Sequence, residues 1–186
     1  MHEAMSADLA AWANFYVIAG SSAAALTGLM FVVLTLVVSV RPSPGVEGIR
    51  SYSTPTVVYF GTALLVSAIL AAPWHVLAQP GMLFVVSGLV GGGYIGRVLL
   101  RILGSESYRP DLDELFWYTI IPLAAYITLA AAGISLSVAP TQALYALAAA
   151  ALVLIFVGIH NAWDIVTYLI IEDYRREPSA TSNKEP

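Results

Sequence analysis

The chain contains no cysteine. Disulfides, thiolate metal sites and cysteine nucleophiles are therefore excluded. Charge is also scarce. Asp, Glu, Lys and Arg together make 11% of the residues, against 59% hydrophobic. A soluble domain covers its surface with about 25% charged residues. No basic stripe suggests nucleic acid as a partner. No Walker loop, dinucleotide fingerprint or His-Glu-x-x-His motif is present, so those nucleotide and zinc chemistries lack their usual scaffold. The first residues, Met1 to Asp8, carry no basic n-region. The apolar run that follows is too long for a signal-peptide core, so a retained helix is expected.

What is abundant is long apolar sequence, and the mean hydropathy is +0.79. A helix needs about 20 apolar residues to cross a hydrocarbon core of about 30 Å. Five runs reach that length: Trp12 to Val40, Pro55 to Leu77, Gly81 to Leu103, Leu115 to Val138 and Thr141 to Ile171. Buried backbone groups in lipid must pair within their own segment, and these runs lack the alternation of barrel strands. The expected fold is all-α: a polytopic bundle of five transmembrane helices over residues 12–171. A short tail, 1–11, precedes it, and a tail of 172–186 follows, losing order after 178, where polar and charged residues replace apolar ones. Thr54-Pro55 reads as an N-cap with proline at the first helical position. Ser43-Pro44-Gly45 and Gln79-Pro80-Gly81 read as turns, and Pro140-Thr141 as the start of the fifth span. Pro122 is expected to free a carbonyl in the fourth span, to be covered by Thr119 or a neighbouring helix.

The eight lysines and arginines sort by connection. Arg41 and Arg50 follow span 1. Arg97, Arg101 and Arg109 cluster at the end of span 3. Arg175, Arg176 and Lys184 follow span 5. The other connections and the N-terminal tail have none. The positive-inside rule then puts the N-terminus outside and the C-terminus in the cytoplasm. Trp12 and Trp74 fall near the outer interface, and Phe116-Trp117-Tyr118 near the inner one, as an aromatic belt requires.

Small residues recur every four positions at Gly20, Ala24 and Gly28 in span 1, and at Gly88, Gly92 and Gly96 in span 3, where Gly91 and Gly93 widen the strip. Such faces let helix backbones approach closely. Spans 1 and 3 are therefore expected at the centre, packed together or forming a seam between copies of the chain.

The fifth span carries His160, Asn161, Asp164, Thr167 and Tyr168, spaced along one helix face. A charge at the centre of a membrane helix costs about 2.5–3.5 kcal/mol and needs a partner, water or a proton. At about 1.5 Å per residue, Asp164 lies about 12 Å inside Glu172, and Arg97 about 10 Å inside Gly104. The matching depths suggest an Arg97–Asp164 ion pair that sets span 3 against span 5. They also allow a polar pocket facing the cytoplasm, lined further by Thr35, Tyr59 and Tyr118, for a small ligand, a headgroup or a proton relay. A lipid-facing, protonated Asp164 is the third reading. Ser21 and Ser22 lie at a different depth from His160 and Asp164, which disfavours a serine hydrolase. His75 and His160 are too far apart in depth for a shared haem. No internal repeat of the transporter kind is visible.

The stretch Phe15 to Val32, with its Gly-Ser-Ser-Ala-Ala-Ala-Leu-Thr-Gly-Leu-Met-Phe-Val run, together with Asn161-Ala162-Trp163, resembles a group of small bacterial multi-pass membrane proteins. Some of that group are labelled as modulators of a membrane-bound AAA protease. The resemblance implies a multi-pass protein of the bacterial inner (plasma) membrane with no catalytic residue. The sequence thus favours a non-enzymatic interaction, scaffold or modulator subunit without cofactor or metal. Its partners would be the lipid bilayer and another membrane protein, or itself as a homo-oligomer. The competing reading is a small oligomeric transporter or channel subunit built around Arg97, Asp164 and His160.

Overall fold

The computed structural model describes the backbone of residues 2–40, 46–74, 76–103 and 112–181, and the side chains of 10–36, 54–74, 76–100, 113 and 115–167. All described secondary structure is helical. Helix α1 is His2–Val40, α2 Val46–Ala71 and α3 Ala78–Leu103. A short α4, Leu112–Leu115, continues into a π-helical turn, Phe116–Ile120, and then into α5, Ile121–Ser135. Helix α6 is Pro140–Thr181. Five helical stretches among the described residues are long and apolar enough to cross a membrane: Ala10–Leu36, Thr54–Ala71, Ala78–Leu100, Phe116–Ser135 and Pro140–Thr167.

Several boundaries differ from the sequence reading. Pro55 lies inside α2, not at its start, because the helix begins at Val46. Helix α2 stops at Ala71, just before Pro73, rather than at Leu77. The break between spans 2 and 3 therefore falls at 72–77, and Gln79-Pro80-Gly81 forms the first turn of α3. Proline is tolerated there because first-turn N–H groups have no helical partner. Helix α6 opens at Pro140 as expected but runs on to Thr181, past residue 178. The Ser43-Pro44-Gly45 break and His75 lie outside the described residues, as do the side chains of every lysine and arginine but Arg97.

Helix α6 is the central element. It packs on α2 along one side and on α5 along another, while α1 covers α2 and α3 covers α5. Buried residues make 56% of the α6 span and 50% of the α2 span, but only 22% of the α1 and α3 spans. Spans 1 and 3 are thus edge helices rather than the expected centre, and they pack on different partners. The core is built from Tyr59, Val66, Phe84, Tyr126, Leu129, Leu144, Leu147 and Leu154, all nearly or wholly inaccessible.

The small residues explain the close seams, but on faces other than the four-residue ladders. An added Cβ at Gly81 would lie 2.6 Å from the Gly133 carbonyl oxygen, and one at Gly88 2.7 Å from the Tyr126 carbonyl oxygen. From Gly81 onward the buried positions on α3 are Gly81, Phe84, Gly88, Gly91 and Ile95. That alternation of three and four averages 3.5 and holds one face. Strict four-residue spacing drifts about 40° per step on a helix of 3.6 residues per turn. Gly92 accordingly makes only ordinary contact, and Gly96 has open space. The same drift acts on α1. Gly20 is pressed on Ser67, whereas Ala24 and Gly28 are exposed.

Helix ends are tied by side chains. The Tyr16 hydroxyl donates to the Leu144 carbonyl at 3.1 Å, joining α1 to α6. Trp12 packs edge-on against Phe15 and Tyr145. The Trp74 indole N–H donates to the Ile69 carbonyl at the end of α2. These aromatics of the expected outer belt therefore also serve in packing.

Candidate functional site

The C-terminal half of α6 meets the π-helical turn, and the polar residues gather there. Pro122 has no N–H, so the carbonyl four residues earlier, Tyr118, loses its α-helical donor. The backbone responds with a π turn, in which the Ile121 N–H bonds to the Phe116 carbonyl. The Tyr59 hydroxyl of α2 donates to the Tyr118 carbonyl at 3.3 Å. Of the two expected covers, the neighbouring helix takes the role, while Thr119 is merely buried in the seam. π turns are rare and tend to mark functional positions.

This turn presents Trp117 and Tyr118 to α6. The Trp117 ring stacks on the His160 imidazole, with centroids 4.1 Å apart and planes 10° from parallel. The Tyr118 hydroxyl donates to Asp164 Oδ2 at 3.4 Å. His160 Nδ1 lies 3.3 Å from the same oxygen, one turn along the helix. That approach is off the hydrogen-bond direction, and Nδ1 has no bonded partner among the described residues. The contact is therefore one of charge proximity, with force only when the imidazole is protonated. Side-chain exposure is 35% for His160 and 44% for Asp164, so both sit at the rim of the bundle rather than in its core.

Asn161 behaves differently. It is fully buried, and neither Oδ1 nor Nδ2 has a hydrogen-bond partner among the described residues. An unsatisfied buried polar group costs about 1–3 kcal/mol. Deeper in the bundle the pairing is better. Thr62 and Tyr126 share a buried hydroxyl–hydroxyl bond of 3.1 Å between α2 and α5.

Of the residues expected to form the site, the structure gathers His160, Asp164, Tyr59 and Tyr118. Thr167 bonds back to the Trp163 carbonyl at 2.9 Å, and Thr35 to the Val32 carbonyl at 2.8 Å, so both satisfy themselves within their own helices. The side chain of Tyr168 lies outside the described residues. Arg97 does not join the group. It is exposed, on α3, and α3 shares no packed face with α6. The Arg97–Asp164 pair expected within one chain is not formed, because α5 stands between their helices. Trp117 is the member that sequence reasoning missed, having placed it only in an aromatic belt. The signal was its proximity to Pro122, which marks where the helix must distort. No cluster of three or more His, Asp or Glu side chains suited to a metal occurs among the described residues.

Comparison with protein families, with curated proteins and with solved structures finds no match. The reading of function therefore rests on the residues themselves.

Proposed function

We propose that the chain is a non-enzymatic integral membrane protein of the bacterial plasma membrane, with its N-terminus outside and its C-terminus in the cytoplasm. In this reading it acts as an interaction or modulator subunit for another membrane protein. A membrane-bound AAA protease is the partner class suggested by the resemblance of span 1. The observation that carries the reading is the outward face of α1. Ser21, Ala24, Ala25 and Gly28 are all exposed there, and a Cβ added at Gly28 meets nothing within 4 Å. Gly81, Gly88 and Gly91 of α3 and Gly133 of α5 are taken up by the α3–α5 seam, but this stripe has no covering helix among the described residues. In lipid, a smooth small-residue face favours association with another helix through close backbone approach.

A second reading, a small transport subunit working as an oligomer, draws on the buried and unpaired Asn161 beside Asp164. Reconstituted vesicles separate the two. The interaction role predicts no ion or proton flux above that of empty vesicles. It also predicts a co-purifying membrane protein that photocross-links from Gly28 and not from a control on the exposed side of another span, such as Ile127 of α5. A pH-dependent flux abolished by Asp164→Asn would instead establish transport.

A further inference from the structure

Two opposite charges stand exposed at the same level of the bundle and cannot meet within one chain. Along the α3–α5 seam Gly81 lies against Gly133, Gly88 against Tyr126 and Ala130, and Gly92 against Leu123. The helices run antiparallel, so this register carries Arg97 to the level of Tyr118 and Thr119. Tyr118 is the residue whose hydroxyl reaches Asp164. Arg97 and Asp164 therefore share a level, on different outer sides of the bundle.

Arg97 sits in the middle of the exposed face of α3, with Val90, Gly93 and Leu100. It has no ion-pair partner among the described residues. Gly93 and Gly96 beside it have nothing within 4 Å, which leaves room for a helix backbone to approach. Asp164 is 44% exposed, and its contacts to Tyr118 and His160 are long, at 3.4 Å and 3.3 Å. Neither brings a fixed positive charge, and a carboxylate can accept about four hydrogen bonds.

We propose that the chain self-associates head to tail in the membrane, Arg97 of one copy pairing with Asp164 of the partner subunit. A guanidinium supplies the fixed charge and the forked donors that a carboxylate accepts best. Water is scarce at this depth, so the attraction is less screened than at a soluble surface. The contact joins two different faces, α3 and α6, and is heterologous. Such contacts close into rings when the rotation per subunit allows it. The His160–Asp164–Tyr118 group is completed only by the neighbouring copy. This inference rests on membrane insertion and not on the modulator role, since copies can associate with or without another protein.

The absence of cysteine makes the test clean. Leu100 lies three residues beyond Arg97, and Thr167 three residues beyond Asp164, so the two fall at one level. Copies carrying Leu100→Cys, mixed in bilayers with copies carrying Thr167→Cys, should join through a short bis-maleimide. Neither variant should join to itself. Charge reversal supplies the second arm, read as subunit number by single-molecule photobleaching in lipid. Arg97→Glu and Asp164→Arg should each weaken association about tenfold or more, the scale of one lost close charge pair. Mixing the two variants should restore it, because alternating copies then meet through the reversed Glu–Arg pair at one contact and through the native Arg97–Asp164 pair at the next. The proposal is overturned by a wild-type protein that stays monomeric, or by cross-linking of Leu100→Cys to itself in preference to the mixture. It is equally overturned if reversal leaves subunit number unchanged, which would assign Arg97 to lipid phosphates.

Discussion

Replacing Gly88 by alanine probes the seam that defines the packing of α3 on α5. The new Cβ would lie 2.7 Å from both the Tyr126 carbonyl oxygen and the Ala130 amide nitrogen, and 2.8 Å from the Ala130 Cβ. Ordinary contact begins near 3.4 Å, so the helices must part by 3.4 minus 2.7, or about 0.7 Å. The obstructing atoms are backbone and cannot rotate away. Overpacking of this kind costs about 1–3 kcal/mol, offset by up to about 1 kcal/mol of helix propensity gained over glycine. Gly93→Ala on the same helix adds its Cβ to open space and keeps only the propensity gain. The two variants should thus differ by about 1–3 kcal/mol, with Gly88→Ala the less stable. At about 2–4 °C per kcal/mol for a chain of this size, heating in detergent followed by size-exclusion chromatography resolves the difference. Gly88→Leu should not fold at all. If Gly88→Ala and Gly93→Ala melt together, the α3–α5 seam described above is wrong.

Three further outcomes follow from buried polar groups. Tyr59→Phe removes the donor to the Tyr118 carbonyl and should cost about 1–3 kcal/mol, seen as an earlier melt with helix content unchanged. Asn161→Leu replaces a buried amide without partners and should raise the melting temperature by several degrees; a fall would show that the amide is bonded after all. Thr62→Val should destabilise by leaving the buried Tyr126 hydroxyl unpaired, Tyr126→Phe should cost less because Thr62 keeps its bond to the Val58 carbonyl, and the double variant should cost less than the sum of the two.

The five apolar runs were legible because spanning length and continuous hydropathy are one-dimensional properties of the sequence. Their ends were less so. The nine residues of α2 before Pro55 contain Glu47, Arg50 and three Gly or Ser, and they look like loop until the helix is seen to pass through them. Spans 1 and 3 looked central because glycine spacing was taken at face value. Only the buried residues, Gly81, Gly88 and Gly91 on α3 and Tyr16, Ala19, Ala23 and Met30 on α1, reveal which side of each helix is covered. The polar group around Asp164 was visible as a helical stripe. Its partners were half right, since Tyr59 and Tyr118 share the depth and the neighbourhood, whereas Arg97 shares only the depth. Depth follows from counting residues. Adjacency follows from which helices touch, and the order α1–α2–α6–α5–α3 is not written in hydropathy.

The central claim is a five-span membrane protein with its two ends on opposite sides. The cysteine-free chain allows a direct measurement. Single variants Ser6→Cys and Ser182→Cys would be exposed, in intact cells, to a membrane-impermeant maleimide, before and after permeabilisation. Labelling of Ser6→Cys in intact cells, with Ser182→Cys labelled only after permeabilisation, is the predicted result. Both positions labelled in the same compartment would mean an even number of spans and would contradict the account.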